Sequence, residues 1–230
     1  MNLKLIIVAL FTFSTSLSFA QDCSKFYPFS EGTISEISIF DKKGKPSGFL
    51  TYNVIKVASS DGTEIATLSS TFKDRKGKLI SSQEFDASCN GDLVSFDFKS
   101  LMNPTILEQY KDMEYDISGI NLEFPNDLSV GQELPDANIE MIISMSGINM
   151  TMNIITKDRT VEARENITTP AGTFDCYLVT YTLEMEMSMG MNQTNKGKQW
   201  ISEGVGMVKQ EDYNKKGKLT GSSLLTAFNK

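Results

Sequence analysis

Apolar and polar side chains alternate with a period of two along most of this chain, the pattern of strands buried on one face. Between Gly48 and Ala58, Leu50, Tyr52 and Val54 fall on one side and Phe49, Ile55 and Val57 on the other. Val94, Phe96 and Phe98 stand together opposite Ser95 and Asp97. The longest run spans Tyr177 to Met191, with eight successive odd positions apolar and Thr182, Glu184, Glu186 and Ser188 between them. A strand of about fifteen residues extends roughly 50 Å, so it must twist and curl within a compact domain. The pattern predicts an all-β, mainly antiparallel fold: a single curved sheet forming a half-barrel or open barrel.

Three polar segments share one plan: Asp41-Lys42-Lys43-Gly44-Lys45, Asp74-Arg75-Lys76-Gly77-Lys78 and Asn214-Lys215-Lys216-Gly217-Lys218. Glycine there supplies the positive φ of a short hairpin loop with a bulge, so these are read as hairpin tips rather than anion sites. A second echo sets Ile117-Ser118-Gly119-Ile120-Asn121-Leu122 beside Met145-Ser146-Gly147-Ile148-Asn149-Met150. In each, the apolar positions change parity at glycine, which predicts a bulge or bend at matching places on neighbouring strands. One short helix is predicted near residues 103–112. Asn103 would cap it, Pro104 suits its first position, and Ile106, Leu107 and Tyr110 make its apolar stripe.

The first twenty residues change the picture. Lys4, the apolar stretch Leu5 to Phe13 and the small residues of Ser18-Phe19-Ala20 read as an export signal cut before Gln21. The apolar run is too short to span a bilayer, and Asp22 occupies the place before Cys23 where a lipoprotein signal needs a small residue. Residues 21–230 are read as one soluble β-barrel-like domain in the periplasm or outside the cell, with no transmembrane segment. A composition of 40% hydrophobic and 22% charged residues excludes disorder. The net charge of −7 argues against a nucleic-acid or anionic-membrane partner, because both need a basic face. Histidine is absent, which removes the Ser-His-Asp and Cys-His triads and the usual zinc sites. Three cysteines in an oxidising compartment allow one bridge in three pairings. Cys23–Cys89, which would restrain the N-terminal end and leave Cys176 free, is the expected pair; three buried thiols are the alternative.

Catalytic motifs are thin. Ser70-Thr71-Phe72-Lys73 matches S-x-x-K, but it alternates as a strand and lacks the companion elements of that chemistry. Gly204-Val205-Gly206 lacks the third glycine and the helix of a dinucleotide loop. Glu123, Asp127, Glu133 and Asp136 fit no calcium-loop spacing. The methionines stand out more, because eight of the 12 lie between positions 141 and 191. They are open to three readings: plain core, the wall of a lipophilic pocket, or a soft Cu(I) site. Met185, Met187, Met189, Met150 and Met152 are the candidate ligand-lining residues.

Three motifs carry a family resemblance: Phe26-Tyr27-Pro28 with Glu31-Gly32, Thr169-Pro170-Ala171-Gly172-Thr173-Phe174-Asp175-Cys176, and Trp200 followed by Glu203-Gly204-Val205-Gly206-Met207-Val208-Lys209. In this order they resemble the TapB-like family of exported bacterial proteins, itself distantly similar to the LolA/LolB lipoprotein-carrier half-barrel. The resemblance implies a curved antiparallel sheet and transfers no activity, so the motif residues are read as fold markers. The expected function is a non-enzymatic, cofactor-free binder or carrier of a lipid or other apolar ligand in the cell envelope. The alternatives are a partner-binding envelope module with a filled core and a His-free hydrolase using carboxylates.

Overall fold

The computed structural model describes residues 23–98, 110, 112–145, 148–188, 190 and 192–230. The expected export segment and all of the expected helix except Tyr110 and Asp112 lie outside the described residues.

Among the described residues the alternating segments form fourteen strands. A first meander comprises β1 (Ile34–Asp41), β2 (Pro46–Ser60), β3 (Thr63–Asp74), β4 (Leu79–Cys89) and β5 (Leu93–Phe96). Then come β6 (Glu114–Ile120), β7 (Leu122–Pro125) and the short β8 (Glu133–Leu134). A second meander follows, with β9 (Ala137–Met145), β10 (Ile148–Thr169), β11 (Gly172–Met187), β12 (Gln193–Ser202) and β13 (Gly206–Asn214), and β14 (Leu219–Asn229) completes the sheet. The order across the sheet is β6-β9-β10-β11-β12-β13-β14-β1-β2-β3-β4-β5-β7, with β8 paired to β10. Every pairing is antiparallel, as predicted.

The two ends of that order meet in one run of chain. β6 pairs with β9 and β7 with β5, and only Asn121 separates them. Asn121 accepts the Phe98 N–H at 3.0 Å and donates to Ser95 Oγ at 3.1 Å. The sheet thereby curls into a nearly closed barrel.

The parity echoes turn out to have other causes. β6 stays in regular register through Gly119↔Ile139, so the face changes at Asn121 and not at Gly119. Gly119 is needed for a close approach, since a Cβ there would lie 2.2 Å from the Asn138 carbonyl oxygen. In the second echo Met145 pairs with Ile148, so the parity change is the reversal of the β9–β10 hairpin. The methionine strand also shifts: β11 begins at Gly172 and its pairing ends at Met187.

The three repeated tips close β1–β2, β3–β4 and β13–β14. Gly44, Gly77 and Gly217 have φ of 72°, 81° and 74°. In each tip the first residue's side-chain oxygen accepts the main-chain N–H groups two and four residues on, at 2.8–3.0 Å. Those bonds hold the Asp41 and Asp74 carboxyls below the usual range. The pairings Asp41↔Gly221 and Gly48↔Asp74 put all three tips at one end of the barrel. Neighbouring tips stand two strands, about 10 Å, apart. Together they hold nine of the chain's 22 basic residues and two of its 29 acidic ones. Whole-chain charge hides this: an acidic protein here carries a basic crown.

The N-terminal segment plugs the opposite end. Phe26 and Phe29 are buried there, and Phe26 meets the edge of Tyr177 with ring centres 5.8 Å apart. Gly32 N–H donates to the Val54 carbonyl at 2.8 Å, and Val54 N–H returns to Thr33 at 3.0 Å. The expected disulfide is present: Cys23 bonds Cys89 with their Cα atoms 5.9 Å apart, and Cys176 is a buried free thiol.

Candidate functional site

Between plug and crown the barrel encloses a cavity of about 600 Å³, partly open to solvent. That volume lies within the range of small-molecule sites, about 300–1,000 Å³. Inward positions of both meanders line it, among them Ile37, Val54, Leu68, Phe85, Val179 and Leu183, with Tyr27 and Phe29 of the plug. At the other end the wall reaches Ile39, Phe72 and Asp212, each two residues before a basic tip. The three tips therefore stand beyond one end of a mostly apolar chamber, over the six adjacent strands β13-β14-β1-β2-β3-β4.

One cation stands in that wall. Along β10, Met152, Ile154 and Thr156 face inward, and the pairing with β11 then slips between Lys157 and Thr160. Asp158 takes φ of 53°, a left-handed conformation that Asp tolerates better than most residues. The bulge flips the parity, so Arg159 and Val161 point inward, with 2% and 0% of their surface exposed. Arg159 Nη1 donates to the Glu123 carbonyl at 2.9 Å and to the Pro135 carbonyl. The guanidinium lies 4.6 Å from the centre of the Phe124 ring. Its Nη2 is buried and has no hydrogen-bond partner. Burial away from water pulls the Arg159 pKa down to about 10, so the group remains a cation at neutral pH.

Other polar groups punctuate the apolar wall. Burial raises the phenols of Tyr27, Tyr52 and Tyr181, Tyr52 to about 12, so each keeps its proton as a hydrogen-bond donor. Burial also raises the Asp212 carboxyl, although Gln210 Nε2 donates to it at 3.1 Å and partly offsets the effect. Tyr181 lies over Gly197 on β12; a Cβ there would come within 2.0 Å of the ring. The buried Thr33 hydroxyl is a second wall group without a partner.

Of the candidate methionines, Met150, Met152, Met185 and Met187 face the interior but do not line the cavity, whereas Met207 of β13 does. Met185 and Met187 continue the inward row of Tyr181 and Leu183 on β11. They pack, with Met150, against buried Met152, Ile139, Met141, Ile143 and Ile154, beside Phe98 and Tyr110. Leu183 and Ile154 mark the boundary between this filled cluster and the chamber. Met189 lies outside the described residues. The expected lining residues thus share the interior face of the sheet with the cavity but are packed in a separate cluster. Arg159 was missed, although the parity change between Thr156 and Val161 could have revealed an inward turn of the Lys157-Asp158-Arg159 segment.

The weaker motifs resolve structurally. Ser70-Thr71-Phe72-Lys73 is part of β3, and Ser70 is buried between its neighbours Tyr52 and Gln83. No cluster of acids with metal-holding geometry occurs among the described residues. The three family-like motifs converge on the plug. Tyr27 packs against Gly206, where a Cβ would fall 2.8 Å from its ring. Gly204 N–H donates to the Lys25 carbonyl at 2.9 Å, Lys25 pairs with Glu203 at 3.2 Å, and Cys176 pairs with Ser202 across strands. Trp200 donates to Glu165 at 2.6 Å under the Lys209 ammonium. Their work is to seat the plug and set the β12–β13 turn.

A profile of the DUF3108-like family matches residues 30–225. No curated protein matches the chain. Among solved structures, a candidate exported protein with a YmcC-like fold from Bacteroides fragilis aligns at TM-score 0.75 and 23% identity, covering 90% of this chain and 100% of that one. A candidate lipoprotein from Parabacteroides distasonis aligns at TM-score 0.76 and 24% identity, covering 91% and 100%. At these identities the likeness is one of fold.

Proposed function

We propose that this chain, which belongs to the DUF3108-like family, is an exported, non-catalytic carrier that holds an apolar ligand inside its barrel. The single observation that carries this reading is the chamber of about 600 Å³ with predominantly apolar walls. A packed barrel of this kind would leave no such space, because protein interiors are close-packed and large dry voids are costly. The export-signal pattern of residues 1–20 supports an envelope location. The absence of histidine and of a second wall carboxylate beside Asp212, among the described residues, supports a binder over a hydrolase. The TapB-like likeness, and through it the LolA/LolB likeness, is a finer statement than the DUF3108-like match and rests on three motifs.

Native mass spectrometry of protein purified from its own envelope should reveal a co-purifying apolar molecule. In solution, the stripped protein should take up a fluorescent fatty-acid probe saturably. Leu68→Trp, which narrows the chamber, should weaken uptake measurably, whereas Met187→Gln, at the filled cluster, should leave it unchanged. No uptake by the wild type would favour a partner-binding module, and uptake indifferent to Leu68→Trp would place the ligand elsewhere.

A further inference from the structure

We propose that the chamber takes a single-chain amphiphile bearing an oxyanion head, with the head seated against Arg159 and the tail along the apolar wall toward the crown. This rests on the carrier reading above and adds the chemical class of the ligand. The argument begins with what Arg159 lacks. A buried guanidinium is tolerated when charged and hydrogen-bonding partners replace the lost water. Here one nitrogen, Nη1, makes both bonds to main-chain carbonyls, while Nη2 is buried without a partner. Among the described residues no carboxylate forms an ion pair with Arg159.

Holding the carbonyls of Glu123 and Pro135 next to β10 requires only Nη1. The second nitrogen is surplus to that task, and its charged N–H groups are donors of the kind that bind a carboxylate or phosphate oxygen. Tyr27 and Tyr181 lie in the same wall, and Arg159 interacts electrostatically with Tyr27, then with the more distant carboxylates of Asp136 and Glu123, and then with Tyr181. Burial keeps both phenols protonated, so each can donate to the same head. Beneath the guanidinium the Phe124 ring excludes water from the contact.

The crown end fits an anion as well. The wall ends at Ile39, Phe72 and Asp212 directly below the three basic tips. A row of like charge beyond one end of a low-dielectric chamber raises the local concentration of the opposite charge. Asp212, the one carboxylate in the wall among the described residues, stands at the crown end. The apolar stretch between crown and Arg159 is the place for the tail.

The test compares heads on one tail. Dodecanoate, dodecyl phosphate and dodecanol are titrated calorimetrically into the full oxidised protein and into Arg159→Gln and Arg159→Lys. In the wild type at least one anion should bind roughly ten- to a hundredfold more tightly than the alcohol, the span of a charge-assisted hydrogen bond. The tighter anion identifies the head as carboxylate or phosphate. Arg159→Gln should bring anion and alcohol within about threefold of each other while leaving the alcohol's affinity unchanged, and Arg159→Lys should restore part of the preference. Equal binding of all three by the wild type overturns the anionic head but keeps the carrier. That comparison decides the matter even if Arg159→Gln fails to fold. A preference that survives Arg159→Gln moves the head elsewhere and also overturns the proposal. Binding of none of the three removes the carrier reading itself.

Discussion

Replacing both cysteines of the Cys23–Cys89 bridge separates two ways of holding the plug. The bridge spans 66 residues of sequence. In the chain-entropy account, closing a loop of that length restricts the unfolded chain by about 4 kcal/mol. The folded plug has its own anchors. Phe26 is 1% exposed and Phe29 6%. Asn126 donates to the Cys23 carbonyl at 2.8 Å and accepts the Lys25 N–H at 3.0 Å. Cys23→Ser with Cys89→Ser should therefore leave the native sheet intact and act on the unfolded state. Cys176 is a poor competitor for disulfide exchange, because burial pushes its thiol up to about 11. Urea unfolding followed through Trp200, the chain's single tryptophan and 5% exposed, reads the difference. The double variant should lose about 4 kcal/mol and show a steeper denaturant dependence, since its unfolded chain exposes more surface. A loss below about 1 kcal/mol with an unchanged slope would refute the loop-entropy reasoning. Loss of the native aromatic spectrum in buffer would show that the bridge, and not packing, positions the plug.

Three further outcomes follow from the wall and the crown. Burial raises the Asp212 carboxyl, so the ionised form is disfavoured in the folded state. That penalty is absent below the unfolded pKa, grows as pH rises from the unfolded to the folded pKa and is complete above it. Asp212→Asn should thus raise the melting temperature at pH 7 and leave it unchanged at pH 3; equal shifts at both would refute the assignment. Gly197→Ala places a Cβ against the Tyr181 ring and should cost about 1–3 kcal/mol in chemical denaturation, while an unchanged midpoint would mean that the ring swings aside freely. Finally, a protein of pI ≈ 4.8 should still be retained on a cation exchanger at pH 7 and low salt. It should elute as the screening length drops below the tip spacing, about 8 Å near 0.15 M. Replacing Lys43, Lys76 and Lys216 by glutamine should release it earlier; flow-through of the wild type would show that the crown is neutralised.

Local rules carried most of the fold. Period-two alternation located the strands, and the Asp/Asn-x-x-Gly plan located the tips because its hydrogen bonds close within five residues. The disulfide was legible from Cys23 standing near a terminus that otherwise frays. What the pattern could not separate was one face-flip from another: a hairpin at Met145–Ile148, a bulge at Asp158 and a strand exchange at Asn121 all invert parity in the same way. Only pairing partners distinguish them, and those lie 20 or more residues away for Asn121 and its neighbours Phe98 and Ser95. The site suffered for the same reason. Methionines announced an adaptable apolar face, but whether it is filled depends on what packs across the barrel. The basic crown was written in three separate segments, and only strand order gathers them.

That order also fixes when the barrel can exist. β14 lies between β13 and β1, so it joins the two meanders in the interior of the sheet instead of trimming an edge. Chains emerge from the N-terminal side, and long-range pairings form late because loop closure must precede any gain. β1 therefore waits with an open edge while roughly 180 residues are made, and its register with β14 runs Ile34↔Asn229 through Asp41↔Gly221. During that interval two half-sheets expose their hydrogen-bonding edges and the chamber has no continuous wall. The strand synthesised after the other thirteen is the keystone, which makes the nascent chain a client for whatever shields β edges.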